Sequence, residues 1–355
     1  MKTRINIFAE IKGIRYTPLM CRELNTYSLE ELEEALQRDS AFVLRTDGAQ
    51  LGMSRWVSPK RTRSYPYARV YDSLQYSKRL TLIPVMKDEG KDGDRDFLQW
   101  DTVSLMSLLN VPVIISYYAS AEKDLDHENK ITNQRFEINH VKSEILRLLD
   151  YQSDALHWNM DQLDKVGIIA ENALTSYKKI SEELGVEMHS EKSAKRRIKQ
   201  LLKGKENFMK ISRELAKAAQ KRETVTVQPK EYLEGTKGTI TIKNFLGGYY
   251  FFTCDEFEIH GKDLYLIEGK HTEAPNLPSL DDIKDGLLKM ILYTNLSDVK
   301  IDENTYNPVP VLKLTTGSTF DERFLGTKDR QTLESLRKEA EKNNFRILIN
   351  DRFLI

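Results

Sequence analysis

Leu264-Tyr265-Leu266-Ile267-Glu268-Gly269-Lys270-His271-Thr272 begins as an apolar strand and becomes charged before it ends. Side chains alternate across a strand, so Glu268 and Lys270, two apart, emerge on one face, while Tyr265 and Ile267 point to the other and can bury it. Upstream, Thr239–Asn244 and Tyr249–Ile259 are also strand-like, and Lys262–Thr272 is the third strand of the set. His260-Gly261 falls where a tight hairpin needs a flexible residue. A three-stranded meander follows, and it brings Asp255 of the second strand beside Glu268 of the third.

Beyond the meander, Ser279 or Asp281 is placed to cap a helix over Asp282–Leu296, with Ile283, Leu287, Leu288 and Ile291 as its apolar stripe. Val309–Leu314 reads as a strand, Asp329–Asn343 as a helix and Phe345–Asn350 as a last strand. With the basic helical stretch that precedes it, this third of the chain reads α-β-β-β-α-β-α-β. Two carboxylates and a lysine on one face are what phosphodiester cleavage requires: acidic oxygens for a cation that takes up phosphoryl charge, and a group beside the attacking water. Magnesium, a hard ion that keeps several waters, suits a site with few protein carboxylates.

An acid on the second strand, Glu-x-Lys on the third and this element order resemble the PD-(D/E)XK nuclease superfamily, over roughly the C-terminal third of the chain. The resemblance implies that Asp255 and Glu268 bind Mg2+ with the Gly269 carbonyl as a further ligand. Lys270 would partner the attacking water, and the products would carry 5'-phosphate and 3'-hydroxyl ends. Cys254 stands where the motif name has Pro, and Glu256 adjoins Asp255, so either acid fits the second-strand position. In the superfamily the following helix often adds a polar residue to the centre. Here it carries Lys284 and Lys289, of which Lys284 is expected at the DNA, against the plainer reading of a solvated helix face.

A bare Glu-x-Lys is a weak signal, since Glu10-Ile11-Lys12, Glu89-Gly90-Lys91 and Glu128-Asn129-Lys130 also occur. Glu10 has no upstream acid, and Glu128 lies in a polar loop. Glu89 is the strongest rival, with Asp72 before it and a strand leading into it. However, Pro84 interrupts that strand, and Lys87 to Asp96 reads as a solvated loop. The plain alternative for Asp255, Glu268 and Lys270 is a half-exposed charged face with one cross-strand ion pair.

At 355 residues the chain is expected to hold more than one domain. The expected class is mixed α/β (α+β), a restriction-endonuclease-like core following an N-terminal α/β region and a helical middle segment. Composition shifts place the borders at residues 1–135, 136–222 and 223–355. In the first part, Arg4–Ile11, Ala41–Arg45, Arg79–Met86 and Val111–Tyr118 read as strands, and Ser28 with Glu31 forms a capping box opening a helix over Ser28–Gln37. The two cysteines, Cys21 and Cys254, offer neither a disulfide framework nor a zinc site. No stretch of about 18 apolar residues occurs, so no membrane insertion is expected and a cytoplasmic location fits.

Lys plus Arg equal Asp plus Glu at 54 each, so the distribution of charge has to indicate the partner. Between Glu191 and Arg222 twelve basic residues face three glutamates, a local balance of +9. Arg196, Arg197 and Lys199 of this segment are candidate phosphate contacts. The loop Ser54–Tyr67 sets Arg55, Lys60, Arg61 and Arg63 among aromatics and prolines, and suits phosphate and base-edge contacts. Solvated surface is the plain reading of both. Asp92, Asp94, Asp96 and Asp101 lack an EF-hand pattern and read as a hydrated turn capping a helix over Asp101–Leu109.

With no P-loop, the family resemblance points to a type II restriction endonuclease acting on double-stranded DNA, by analogy a homodimer. A repair or junction nuclease would share the site. A non-catalytic DNA-binding protein, with the meander as scaffold, is the reading from another class.

Overall fold

The computed structural model describes residues 5–46, 48–61, 65–151, 154–203, 236–244, 248–274, 276–317 and 320–354. The fold is mixed α/β, as the alternation of elements predicts. The chain divides into two compact units rather than three: residues 1–22 with 213–355, and residues 23–212. Among the described residues no helix is long and apolar enough to cross a membrane.

The first unit is built on a nine-stranded sheet. At its centre is the meander Thr236–Asn244, Gly248–His260 and Asp263–His271, each strand antiparallel to the next, with Gly261 at φ +65 in the second turn. A left-handed backbone there is unstrained for glycine. The helix Leu280–Tyr293 follows, its N-cap Ser279 accepting the Asp282 N–H at 3.2 Å. It packs across two parallel neighbours, Asp263–His271 and Asn307–Thr315. The buried Ile283, Leu287, Leu288 and Ile291 of the helix, with Leu264, Leu266, Leu312 and Leu314 of the strands, supply this part of the core. A further crossover through helix Thr327–Asn343 adds Arg346–Ile349, again parallel.

In this unit two features depart from the sequence reading. The strand Leu296–Ile301 intervenes between the Ser279-capped helix and Asn307–Thr315. It pairs with Ile5–Ile11, which on its other edge runs parallel to Thr236–Asn244. The N-terminal strand, read as part of a 1–135 region, therefore completes the C-terminal sheet. Its alternation explains the placement: Ile7, Ala9 and Ile11 are buried and Phe8 is exposed. The following segment is fastened to the C-terminal helix. Tyr16 Oη and the Leu19 N–H donate to the two oxygens of Glu339 at 2.7 and 2.8 Å, and the Thr17 N–H donates to Asn343 Oδ1 at 2.7 Å.

The second unit holds a five-stranded sheet in the order 26–28, 41–46, 49–55, 78–84, 113–116, with helices covering it. The Ser28–Glu31 capping box forms both of its bonds, but the helix begins after it, at Leu32. Lys87 to Asp96, expected as a solvated loop, is instead a hairpin in which Met86–Asp88 pairs with Arg95–Phe97. Asp88 is buried there against His189 Nδ1 at 2.7 Å. Asp101 does not cap its helix either, because it is buried inside the first turn of Trp100–Leu108.

Val113–Ser116 is an edge strand, and an edge left open invites pairing with another chain. Helix Ala155–Asp164 closes it with polar side chains. Asn159 Oδ1 accepts the Val113 N–H at 2.7 Å and Gln162 Oε1 the Ile115 N–H at 3.1 Å, while Trp158 Nε1 donates to the Val113 carbonyl at 2.7 Å. Asn159→Leu removes the acceptor of one buried N–H and the amide donor to the Val111 carbonyl. It is expected to lower unfolding stability by about 1–3 kcal/mol in urea titration. An unchanged midpoint would contradict this role for the Asn159 amide.

Candidate active site

The ladder between the second and third meander strands runs from His260↔Asp263 to Glu256↔Ile267 and ends there. Beyond that point a side chain replaces the backbone partner: Asp255 Oδ2 accepts the Gly269 N–H at 3.0 Å. The two strands therefore part at the position where each carries an acid, and Asp255 and Glu268 act directly on one another's ionisation. Parallel pairing of Glu268 with Leu312 fixes the far edge of the third strand.

Glu268 is 1 % exposed, and an ammonium meets each of its carboxylate oxygens. Lys270 Nζ lies 3.2 Å from Oε1 and Lys289 Nζ 2.6 Å from Oε2. Lys270 is also held at 2.7 Å by Asp285 Oδ2. Asp285 and Lys289 are four residues apart on the Ser279-capped helix and so share one of its faces. Gly286 lets that face approach closely, since a Cβ there would lie 2.7 Å from Leu312 Cδ1 and 3.3 Å from Lys270 Cε.

Burial works to raise the Asp255 carboxyl, but the Lys289 ammonium, its neighbour Glu268 and the Gly269 N–H hold it below its ordinary value. Glu268 moves the other way. Burial and the Asp255 charge push it up to about 8, against the pull of Lys289 and Lys270. Burial opposes both ammonium charges, yet Glu268 with Asp285 keeps Lys270 protonated, and Glu268 with Asp255 keeps Lys289 protonated.

Three carboxyl groups thus face two ammoniums.

The two adjacent acids of the second strand separate by strand alternation. Asp255 reaches the Glu268 strand, while Glu256 is buried beside Lys313 at 3.3 Å. Of the four Glu-x-Lys pairs, Glu268 and Lys270 are the one whose ends meet among the described contacts. Lys91 pairs with Glu187 and Glu89 with Lys87; Lys12 pairs with Asp298, and Lys130 with Asp124.

The expected DNA contacts fare differently. Lys284 is fully buried, which corrects its placement at a DNA surface. The covered face of its helix extends to Lys284 because two parallel strands flank it. Arg55 donates Nε to the Asp39 carbonyl at 3.2 Å, Arg61 pairs with the buried Asp101 at 3.1 Å, and Lys60 is half-buried. Arg63 lies outside the described residues. Helix Glu191–Leu202 buries Ala194 and Ile198 and exposes Lys192, Lys195, Arg196 and Lys199, with Arg197 half-buried and bonded to Gln200.

Asp285 and Gly286 have no part in the sequence reading, although the i,i+4 spacing of Asp285 and Lys289 is visible in it. Among the described residues no group of three or more His, Cys, Asp or Glu side chains is arranged to hold a metal ion. Comparisons with protein-family models, curated proteins and solved structures find no match to this chain.

The raised Glu268 carboxyl has a consequence for stability. Between about pH 4.5 and 8 the unfolded chain has lost this proton while the folded chain keeps it, so this contribution fades as pH rises through that window. Thermal unfolding in EDTA is expected to show this decline, and Glu268→Gln should remove its share of the slope. An identical slope in the variant would contradict the assignment.

Proposed function

We propose that this chain is a Mg2+-dependent endonuclease of the PD-(D/E)XK kind that cuts double-stranded DNA at specific sequences, as type II restriction enzymes do. The observation that carries the reading is the meeting of Asp255 and Glu268 where two meander strands part, with Lys270 two residues on and 3.2 Å from Glu268. The meander, crossover helix and parallel strand that hold them resemble the order the superfamily uses, with the strand Leu296–Ile301 inserted after the helix.

The donor set suits magnesium. Asp255, Glu268 and the Gly269 carbonyl offer only oxygen, and the two carboxylates leave positions for water and substrate phosphate. When bound, the ion supplies positive charge to the phosphoryl oxygens and to the attacking water. Lys270 is held by Glu268 and Asp285 and kept protonated, so it presents a fixed ammonium beside that water and favours its deprotonated form. Glu268 lies at the buried end of the site and orients Lys270 and Lys289 through its two oxygens. The exposed basic face of Glu191–Leu202 suits phosphate contacts that give affinity without base specificity. A homodimer would match a two-fold site on DNA.

The test is Mg2+-dependent cleavage of plasmid DNA beside a gel shift in Ca2+. Glu268→Ala and Lys270→Ala are each expected to lower cutting by about a thousandfold or more while leaving binding largely intact. Glu89→Ala and Lys91→Ala should stay within a few fold of the parent. Discrete fragments indicate a site-specific enzyme and random degradation an unspecific one. A dead Glu89→Ala beside an active Glu268→Ala would move the chemistry to the other unit and sink the proposal.

A further inference from the structure

Asp255 and Glu268 are not without a cation. The Lys289 Nζ stands 2.6 Å from Glu268 Oε2, and its charge is the strongest influence holding Asp255 ionised. Lys289 therefore contacts the Glu268 end of the pair, and its charge also bears on Asp255. Lys270, although nearby, is anchored elsewhere: it sits closer to Asp285, at 2.7 Å, than to Glu268, at 3.2 Å.

We infer that the Lys289 ammonium is the resident cation of the Asp255–Glu268 pair, held where a divalent ion would bind and displaced from it when the ion enters. The inference rests on reading this pair as a metal centre and adds how that centre is filled and emptied.

Charge decides between displacement and coexistence. With all three carboxyls ionised, Asp255, Glu268 and Asp285 carry three negative charges against the two positive charges of Lys270 and Lys289. A divalent ion in exchange for the Lys289 ammonium brings the cluster to neutrality. The same ion added beside that ammonium would leave an excess positive charge in a largely buried site, with like charges a few ångströms apart, which is strongly unfavourable at low dielectric. Lys289 is also able to leave. Its side chain is 17 % exposed, and four methylenes let the head reach water while the stem stays packed. Asp285, one turn earlier on the same helix, keeps Lys270 in place, so the exchange need not disturb the motif lysine. The helix thus contributes a fixed anchor and a movable plug.

Metal binding without DNA tests this directly. Mn2+, which accepts the same oxygen ligands, is titrated by calorimetry at one mildly alkaline pH in the parent and every variant. Removing the competing ammonium in Lys289→Met is expected to tighten Mn2+ binding by about tenfold or more. Lys289→Gln, which can still hydrogen-bond Glu268, should do the same and covers the case in which the methionine variant fails to fold. Lys289→Arg keeps a cation and should bind no more tightly than the parent. Glu268→Ala, in the parent and in each neutral variant, should abolish the binding.

Unchanged or weaker binding in folded Lys289→Met and Lys289→Gln overturns the displacement while leaving the metal centre standing, provided Glu268→Ala still removes binding. Binding that ignores Glu268 in every protein would overturn both.

Discussion

A carboxylate as deeply buried as Glu268 is expensive to ionise unless opposite charge reaches it, and the surrounding unit is arranged so that two ammoniums do. One comes from the same strand, two residues on; the other comes from the helix that crosses over it. Asp255, from the neighbouring strand, opposes them, so Glu268 keeps its proton well above the usual carboxyl range. Such a cluster has little reason to exist as structure alone. Replacing a buried ion pair with apolar residues of similar volume is often neutral or stabilising. On the proposed nuclease reading, these five ionisable groups at the mouth of a parting hairpin would receive a cation and a phosphate.

The rest of the unit serves that geometry. The antiparallel ladder sets the register that puts Asp255 opposite the third strand, and its early end frees the Asp255 carboxylate to take the Gly269 N–H. The parallel ladder to Asn307–Thr315 fixes the other edge. The crossover helix supplies Asp285 and Lys289, and Gly286 between them allows a close approach to the Lys270 stem that a methyl group would obstruct.

Local periodicity made the meander, the capped helix and the shared face of Glu268 and Lys270 legible, because each depends on residues close in sequence. Strand alternation likewise held both answers to the Asp255 or Glu256 question, since adjacent residues must face opposite ways, but only the pairing partner shows which way. Long-range pairing stayed hidden. Ile5–Ile11 alternates like any half-buried strand, and nothing local tells it to join Thr236–Asn244 more than 220 residues away. Leu296–Ile301 escaped because Ser297 and Asp298 interrupt its apolar run, with Asp298 at φ +51. Lys284 misled because charge usually marks a solvated face, whereas a helix lying over two parallel strands buries a wider arc than its apolar stripe suggests. Lys289 and Asp285 were visible as an i,i+4 pair, but their inward direction follows only from where the crossover places the helix.

The proposed metal centre lies between Asp255 and Glu268, and iron-mediated cleavage of the polypeptide reads that location without reference to activity. Fe2+ bound in place of Mg2+, with ascorbate and peroxide, cuts the backbone nearest the ion. Fragments ending around Asp255 and around Glu268 to Lys270, suppressed by excess Mg2+ and absent from Glu268→Ala, are the predicted result. Cuts clustered instead between Asp88 and Asp96, or a pattern indifferent to Glu268→Ala, would contradict it.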